Sequence, residues 1–228
     1  MVIAIKYNGV EKFTFSYDAN GRLANSTDHV NGKQYSYEYD KYNRLVRASE
    51  KFCGALVMGV ENWFDSLGRA SGSVYTLPGK TMNYGITYKE KIDGAPYQVG
   101  IGKVQQYTLP TNATITYYYD ELERVTKKEY SNALNVNYTY LAGSGASTTT
   151  PLVSDVEIKN GSASIIKYSY TYDNVGNILT VKENDIEKQS FTYDKLGQLT
   201  QEDNAYANQT YTYTYDAAGN ITGKYRWE

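Results

Sequence analysis

An all-β fold, laid out as tandem β-hairpins in one long, twisted, curling antiparallel sheet, is what this sequence predicts. Three observations carry it. An aromatic residue followed by Asp recurs seven times, aromatic and polar residues alternate ahead of it in five of the copies, and each copy ends in the same kind of turn. The clearest copy is Tyr213-Thr214-Tyr215-Asp216-Ala217-Ala218-Gly219-Asn220-Ile221. The others centre on Tyr17-Asp18 with Gly21, Tyr39-Asp40, Phe64-Asp65 with Gly68, Tyr119-Asp120, Tyr172-Asp173 with Gly176, and Tyr193-Asp194 with Gly197.

Side chains two apart on an extended chain point to one side, so Tyr211, Tyr213 and Tyr215 share a face and Thr212 and Thr214 the other. Tyr, Phe and Thr suit a pleated, half-buried surface, whereas a helix would scatter the alternation around its circumference. The Asp suits the first position of a type I turn, where its carboxylate accepts a main-chain hydrogen bond from two residues on. Gly three later tolerates positive φ. Leu23, Leu45, Ile178, Leu199 and Ile221 then open the returning strand. A second set of turn signals, Asn8-Gly9, Asn31-Gly32, Asp93-Gly94 and Asn160-Gly161, marks the other hairpin ends.

The repeat aspartates fall at steps of 22, 25, 55, 53, 21 and 22 residues. Each long step holds a worn copy, Ile86-Thr87-Tyr88-Lys89 and Tyr138-Thr139-Tyr140-Leu141, which brings the expectation to about nine hairpins and eighteen strands. Ordering one unit costs about 1–2 kcal/mol per residue of backbone entropy, and a well-buried aromatic returns roughly 1.5–3 kcal/mol. Three or four aromatics cannot hold a hairpin alone, so neighbouring hairpins must share one aromatic face.

The 228 residues read as one continuous array, 1–228. Residues 51–110 are its least regular part, with a buried-looking strand at Phe52–Val60 and turns at Leu77-Pro78-Gly79 and Leu109-Pro110-Thr111. Residues 142–151 read as a flexible loop. A net charge of −2 with dispersed basic residues gives no nucleic-acid or anionic-membrane signal. No apolar run approaches the ~18–20 residues of a membrane-spanning helix, and Met1–Lys6 is too short and wrongly flanked for a signal peptide, so a soluble chain is expected. Both ends break off within repeat-like sequence, which suggests an excerpt. Cys53 is alone and excludes an intrachain disulfide.

No catalytic, cofactor or metal constellation emerges. A calcium loop needs several oxygens within a few positions, and His29 has no second His or neighbouring Cys. Gly100-Ile101-Gly102-Lys103 lacks the remaining glycines and the helix of a phosphate cradle. The 26 tyrosines, against 5 Phe, 2 Trp and 3 Met, leave one further question. Exposed Trp63 or Trp227 could stack on sugar rings, against the plainer reading of a Tyr-rich face packed on its neighbours.

The Tyr-Asp-x-x-Gly-Asn/Arg-Ile/Leu hairpins at 21–22-residue spacing resemble the YD repeats of the RHS family, which includes bacterial wall-associated and polymorphic-toxin proteins, the C component of Tc toxins and the teneurins. The resemblance covers nearly the whole chain. It implies an antiparallel strip that spirals into a shell, here a partial one because the hairpins are few. It also implies an extracellular or cell-surface setting and a noncatalytic structural role, with protein partners through sheet edges or further repeats. A carbohydrate- or wall-binding module is the alternative, and a β-propeller with two units per blade is a third. No Asp-Pro follows a Gly-Arg, so the family's self-cleaving segment and its encapsulation are not carried over.

Overall fold

The structure is a computed structural model and describes residues 1–91, 98–145 and 148–227. The described residues contain no helix. The chain divides into two compact units, one of residues 1–96 and 101–115 and the other of 97–100 and 116–228. The turn read at Asp93-Gly94 lies outside the described residues, as do Ala146 and Ser147 of the expected loop.

The first unit holds β1 (Ala4–Tyr7), β2 (Val10–Tyr17), β3 (Leu23–Asp28), β4 (Lys33–Tyr39), β5 (Leu45–Phe52), β6 (Ala55–Phe64), β7 (Ala70–Leu77), β8 (Lys80–Tyr88) and β9 (Val104–Thr108). Each pairs antiparallel with the next. β10 (Thr114–Tyr119) straddles the division. The second unit continues with β11 (Val125–Tyr130), β12 (Leu134–Ala142), β13 (Thr149–Asn160), β14 (Ala163–Tyr172), β15 (Ile178–Glu183), β16 (Ile186–Tyr193), β17 (Leu199–Asn204), β18 (Gln209–Tyr215) and β19 (Ile221–Trp227). These too pair antiparallel in sequence order. Unbroken pairing from β1 to β9 rules out propeller blades, which would interrupt the sheet every four strands.

Two expectations need correction. Phe52–Val60 is not one buried strand: β5 ends at Phe52 and β6 begins at Ala55, because Cys53 and Gly54 form a tight turn with φ of 48° and 83°. Leu56, Val57 and Met58 beyond it are exposed, since no second layer covers them. The expected loop at 142–151 is shorter, since Ala142 still pairs with Thr149 across β12 and β13. No described apolar side chain is fully buried, in keeping with the thin, partly solvated sheet that a tyrosine-dominated composition suits.

Two kinds of hairpin end follow from local chemistry. At one end the two-residue turns Asn8-Gly9, Cys53-Gly54 and Asn184-Asp185 place both residues at positive φ, the geometry that matches strand twist. At the other, Gly21 N–H donates to Asp18 O at 2.9 Å and Asp18 N–H donates to Arg22 O at 2.8 Å. This is a type I turn closed by a bulge. The strand register shifts at the residue before six of these aspartates, as between Ser16 and Tyr17 or Thr192 and Tyr193. Asn43 and Glu123 hold the position that glycine fills elsewhere, at φ of 68° and 60°. Asn tolerates that region and Glu does not. Glu123→Gly is therefore expected to raise stability by about 0.5–1 kcal/mol, read as a higher urea midpoint at unchanged slope.

Candidate functional site

The repeated feature with the densest chemistry is the turn and the tyrosine that precedes it. Asp18 Oδ1 accepts from the N–H of Asn20 and of Arg22, both at 2.9 Å, while Oδ2 receives Arg22 Nε at 2.6 Å. Asp40, Asp65 and Asp120 repeat the arrangement with Arg44, Arg69 and Arg124. Asn177 and Asn220 take the arginine's place beside Asp173 and Asp216, bonding through Nδ2 at 2.8 and 2.9 Å. Asp194 Oδ1 accepts from Leu196 and Gln198 N–H.

In Asp18, Asp40, Asp65, Asp120, Asp173 and Asp216 these contacts hold the carboxyl below its ordinary range. For Asp18 the Arg22 backbone N–H is the main cause. For Asp120 burial pushes upward, but the Arg124 side chain and the N–H groups of Arg124 and Leu122 outweigh it. For Asp216 the Asn220 side-chain amide leads. In Asp18, Asp40, Asp65, Asp120, Asp173 and Asp216 both carboxylate oxygens thus accept hydrogen bonds from within their own turn.

Four of the tyrosines before these turns reach the hairpin before them. Tyr17 donates its hydroxyl to Val2 O at 2.8 Å, Tyr172 to Val153 O at 2.7 Å, Tyr193 to Ile178 O at 2.8 Å and Tyr215 to Leu199 O at 2.8 Å. Both worn copies keep this contact: Tyr88 donates to Ala70 O and Tyr140 to Val125 O. Phe64 has no hydroxyl, and Asn62 Nδ2 donates to Leu45 O instead, at 3.2 Å. The arginines point the same way. Arg22 stacks on Tyr39, Arg44 on Phe64, Arg69 on Tyr88 and Arg124 on Tyr140, with guanidinium-to-ring distances of 4.6, 4.0, 4.0 and 3.9 Å. Each turn is therefore tied to the aromatic of the unit that follows, a link that spacing alone does not reveal.

The two faces of each sheet differ. In the first unit, paired residues form a small polar row, Ser16, Asn25, Ser36, Ser49, Gly59 and Thr76. The opposite face carries Tyr37, Ala48, Val60, Tyr75 and Met82. In the second unit Thr171, Thr180, Ser190, Asp203, Thr210 and Trp227 form the polar row. Trp63 and Trp227 thus stand on the polar faces, Trp227 beside Tyr225. A methyl added at Gly72 would lie 2.9 Å from the Trp63 ring, and one at Gly223 2.7 Å from the Tyr225 ring. Each ring lies over a glycine and shows its outer side to solvent. Trp227 Nε1 donates to Thr212 Oγ1 at 3.4 Å.

The concavities are shallow. One of about 230 Å³ in the first unit lies around Arg47, whose guanidinium bridges Glu38 and Glu61 at 3.0 and 3.1 Å. Another, of about 480 Å³ in the second unit, is lined by Tyr168, Tyr170, Val181, Glu183, Gln189 and Tyr206. There the Tyr206 hydroxyl donates to the Glu183 carboxylate, which pushes the phenol up to about 12. His29 lies in the β3–β4 loop with Nε2 3.0 Å from Thr14 Oγ1. No group of three or more His, Cys, Asp or Glu among the described residues is close enough to hold a metal ion.

Antiparallel hairpins joined in sequence order and stitched by a recurring tyrosine define a tandem β-hairpin repeat protein. Residues 17–50 and 190–226 match the RHS Repeat family. No curated protein matches it. Among solved structures it is similar to the TcdB2-TccC3-TEV crystal structure, at 13% identity and a TM-score of 0.44 over 94% of this chain and 15% of that one. It is also similar to the Photorhabdus luminescens Tc holotoxin pore, at 12% identity and a TM-score of 0.42 over 95% and 16%. A porin-like protein from Bacteroides uniformis gives 14% identity and a TM-score of 0.35 over 85% and 81%. The chain spans about 15% of the length of the Tc toxin chains.

Proposed function

We propose that this chain is a noncatalytic structural segment of a secreted or cell-surface RHS/YD-repeat protein, building a curved β scaffold or partial shell for cargo or partner interaction. The observation that carries the reading is the tyrosine-to-carbonyl stitch, because it commits the chain's most repeated polar group to holding one hairpin on the next. Twisted sheets of many strands curl, which supplies the curvature. Protein partners would meet sheet edges, including those of a second copy or of further repeats. Stepwise truncation tests the scaffold. Deleting residues 205–228 should leave the strand spectrum of the remainder intact with a lower thermal midpoint, as in one-dimensional arrays. Loss of all cooperative structure would contradict it.

A second reading, carbohydrate or cell-wall binding, is favoured by the placement of Trp63, Tyr225 and Trp227. All three rise from hydroxyl-rich faces, with Trp63 43%, Tyr225 54% and Trp227 60% exposed. Flat rings among hydroxyls suit sugar stacking. Titration of wall polysaccharide fragments followed by tryptophan fluorescence is the test: saturable quenching that is lost in Trp227→Ala supports it, and no change at millimolar ligand removes it.

A further inference from the structure

Four glycines lie inside strands among the described residues, and packing explains three of them. A methyl added at Gly72 would lie 2.5 Å from Tyr84 O, one at Gly85 3.3 Å from Thr108 Cβ, and one at Gly223 2.7 Å from Thr214 Oγ1. Gly59 has no such neighbour. A methyl there would meet Thr76 Cβ at 3.8 Å and Ala48 O at 4.0 Å, ordinary contact distances. Its backbone does not require glycine either, since its φ is not positive and it pairs in register with Ser49 and Thr76. The β5–β6 bulge falls earlier, between Leu56 and Met58. Glycine weakens a strand interior and, where no bulge or bend calls for it, marks a close approach by something else.

Gly59 helps to floor the concavity of about 230 Å³ around Arg47. A second concavity, of about 270 Å³ and lined by Asn25, Thr27, Gln34 and Lys51, adjoins the first at Ser36 and Ser49. The hydroxyls of those two serines lie 2.6 Å apart. Trp63 stands on the same polar face, two residues along β6 from Glu61. Arg47 and, after it, the Trp63 indole hold the Glu61 carboxyl below its ordinary value.

We propose that this trough binds a neutral oligosaccharide, with one ring over Gly59 and another stacked on Trp63. The inference rests on the carbohydrate reading above and adds to it a site in the first unit with a stated class of ligand. Gly59 and Trp63 are four residues apart on one strand, about 13 Å, so the ligand is a chain of sugars rather than a single one. Charge selects a neutral chain. Glu38 and Glu61 face Arg47, Lys51 lies in the adjoining concavity, and the trough therefore carries no net charge. Arg47 is committed to the two glutamates, which would repel an anionic sugar. Each glutamate keeps one oxygen that Arg47 does not take, an acceptor for a sugar hydroxyl, and the serine and threonine hydroxyls both donate and accept.

The test is calorimetry on the whole chain carrying Trp227→Ala, which removes the exposed indole of the second unit. It is titrated with cellotetraose, chitotetraose and tetragalacturonate. A neutral tetrasaccharide should bind with Kd of about 0.1–1 mM, and tetragalacturonate several-fold more weakly. Adding Gly59→Thr should weaken binding about tenfold while the thermal midpoint holds or rises, because a β-branched residue suits a strand. Adding Trp63→Ala, a change at an exposed ring, should weaken it several-fold. Binding by the parent chain that vanishes with Trp227→Ala alone would overturn this site and leave the carbohydrate reading standing. No binding by either chain at millimolar sugar would overturn both. Undiminished affinity with Gly59→Thr and Trp63→Ala, or a preference for tetragalacturonate, would overturn the proposal.

Discussion

Replacing Tyr172, Tyr193 and Tyr215 by Phe in one chain is expected to lower the unfolding free energy by about 3 kcal/mol, roughly 1 kcal/mol for each hydrogen bond lost. The rings remain, so their packing on the half-buried face is preserved. What disappears is the hydroxyl that spans from each hairpin to a carbonyl at Val153, Ile178 or Leu199. Tyr211→Phe is the control, because its hydroxyl bonds only Gln209 on the same strand. It should cost less than about 0.5 kcal/mol. Urea unfolding at constant slope reads both. If the triple substitution behaves like the control, the stitch contributes nothing and the hairpins are held by backbone pairing and ring contact alone.

The same contact shows where sequence reasoning reached and where it stopped. Strand identity was legible because alternation has a period of two, and Tyr211, Tyr213 and Tyr215 leave no helical alternative. Hairpin connectivity was legible from spacing. The two-residue turns at Cys53-Gly54 and Asn184-Asp185 were harder. An apolar run such as Phe52–Val60 looks continuous although Cys53 and Gly54 adopt positive φ near its start. The lack of a closed core was legible in composition, because 26 of the hydrophobic residues are tyrosines whose hydroxyls want water or a partner, and no described apolar side chain is fully buried. Links between units were hidden for a further reason. A tyrosine hydroxyl bonding a backbone carbonyl leaves no partner side chain to read, so Val153, Ile178 and Leu199 carry no sequence mark of their role. Phe64 offers the one hint, since Asn62 supplies the missing donor two residues earlier. Likewise the side of the sheet taken by Trp63 follows from the register shift between it and Phe64, which places these neighbours in different pairings.

Acid should unfold this protein cooperatively, and the turn aspartates are the reason. Asp18, Asp40, Asp65, Asp120, Asp173 and Asp216 are all held below the ordinary value of 3.8. A depressed carboxyl binds its proton more readily in the unfolded chain. Its contribution is therefore complete above the unfolded value and is lost as pH falls through the folded one. The thermal midpoint is expected to be flat from neutral pH to about pH 5 and to drop steeply below about pH 4. Salt separates the two kinds of turn. In the first unit, Arg22, Arg44 and Arg69 pair with their aspartates at 2.6 Å. In the second, Asn177 and Asn220 hold theirs without a charge. Screening acts on ion pairs and spares amide bonds. Near 1 M salt, where screening reaches about 3 Å, Asp40→Asn should lose most of its destabilising effect while Asp173→Ala keeps its own. A midpoint that stays level down to about pH 2 would mean that these carboxylates cap turns which backbone geometry already closes.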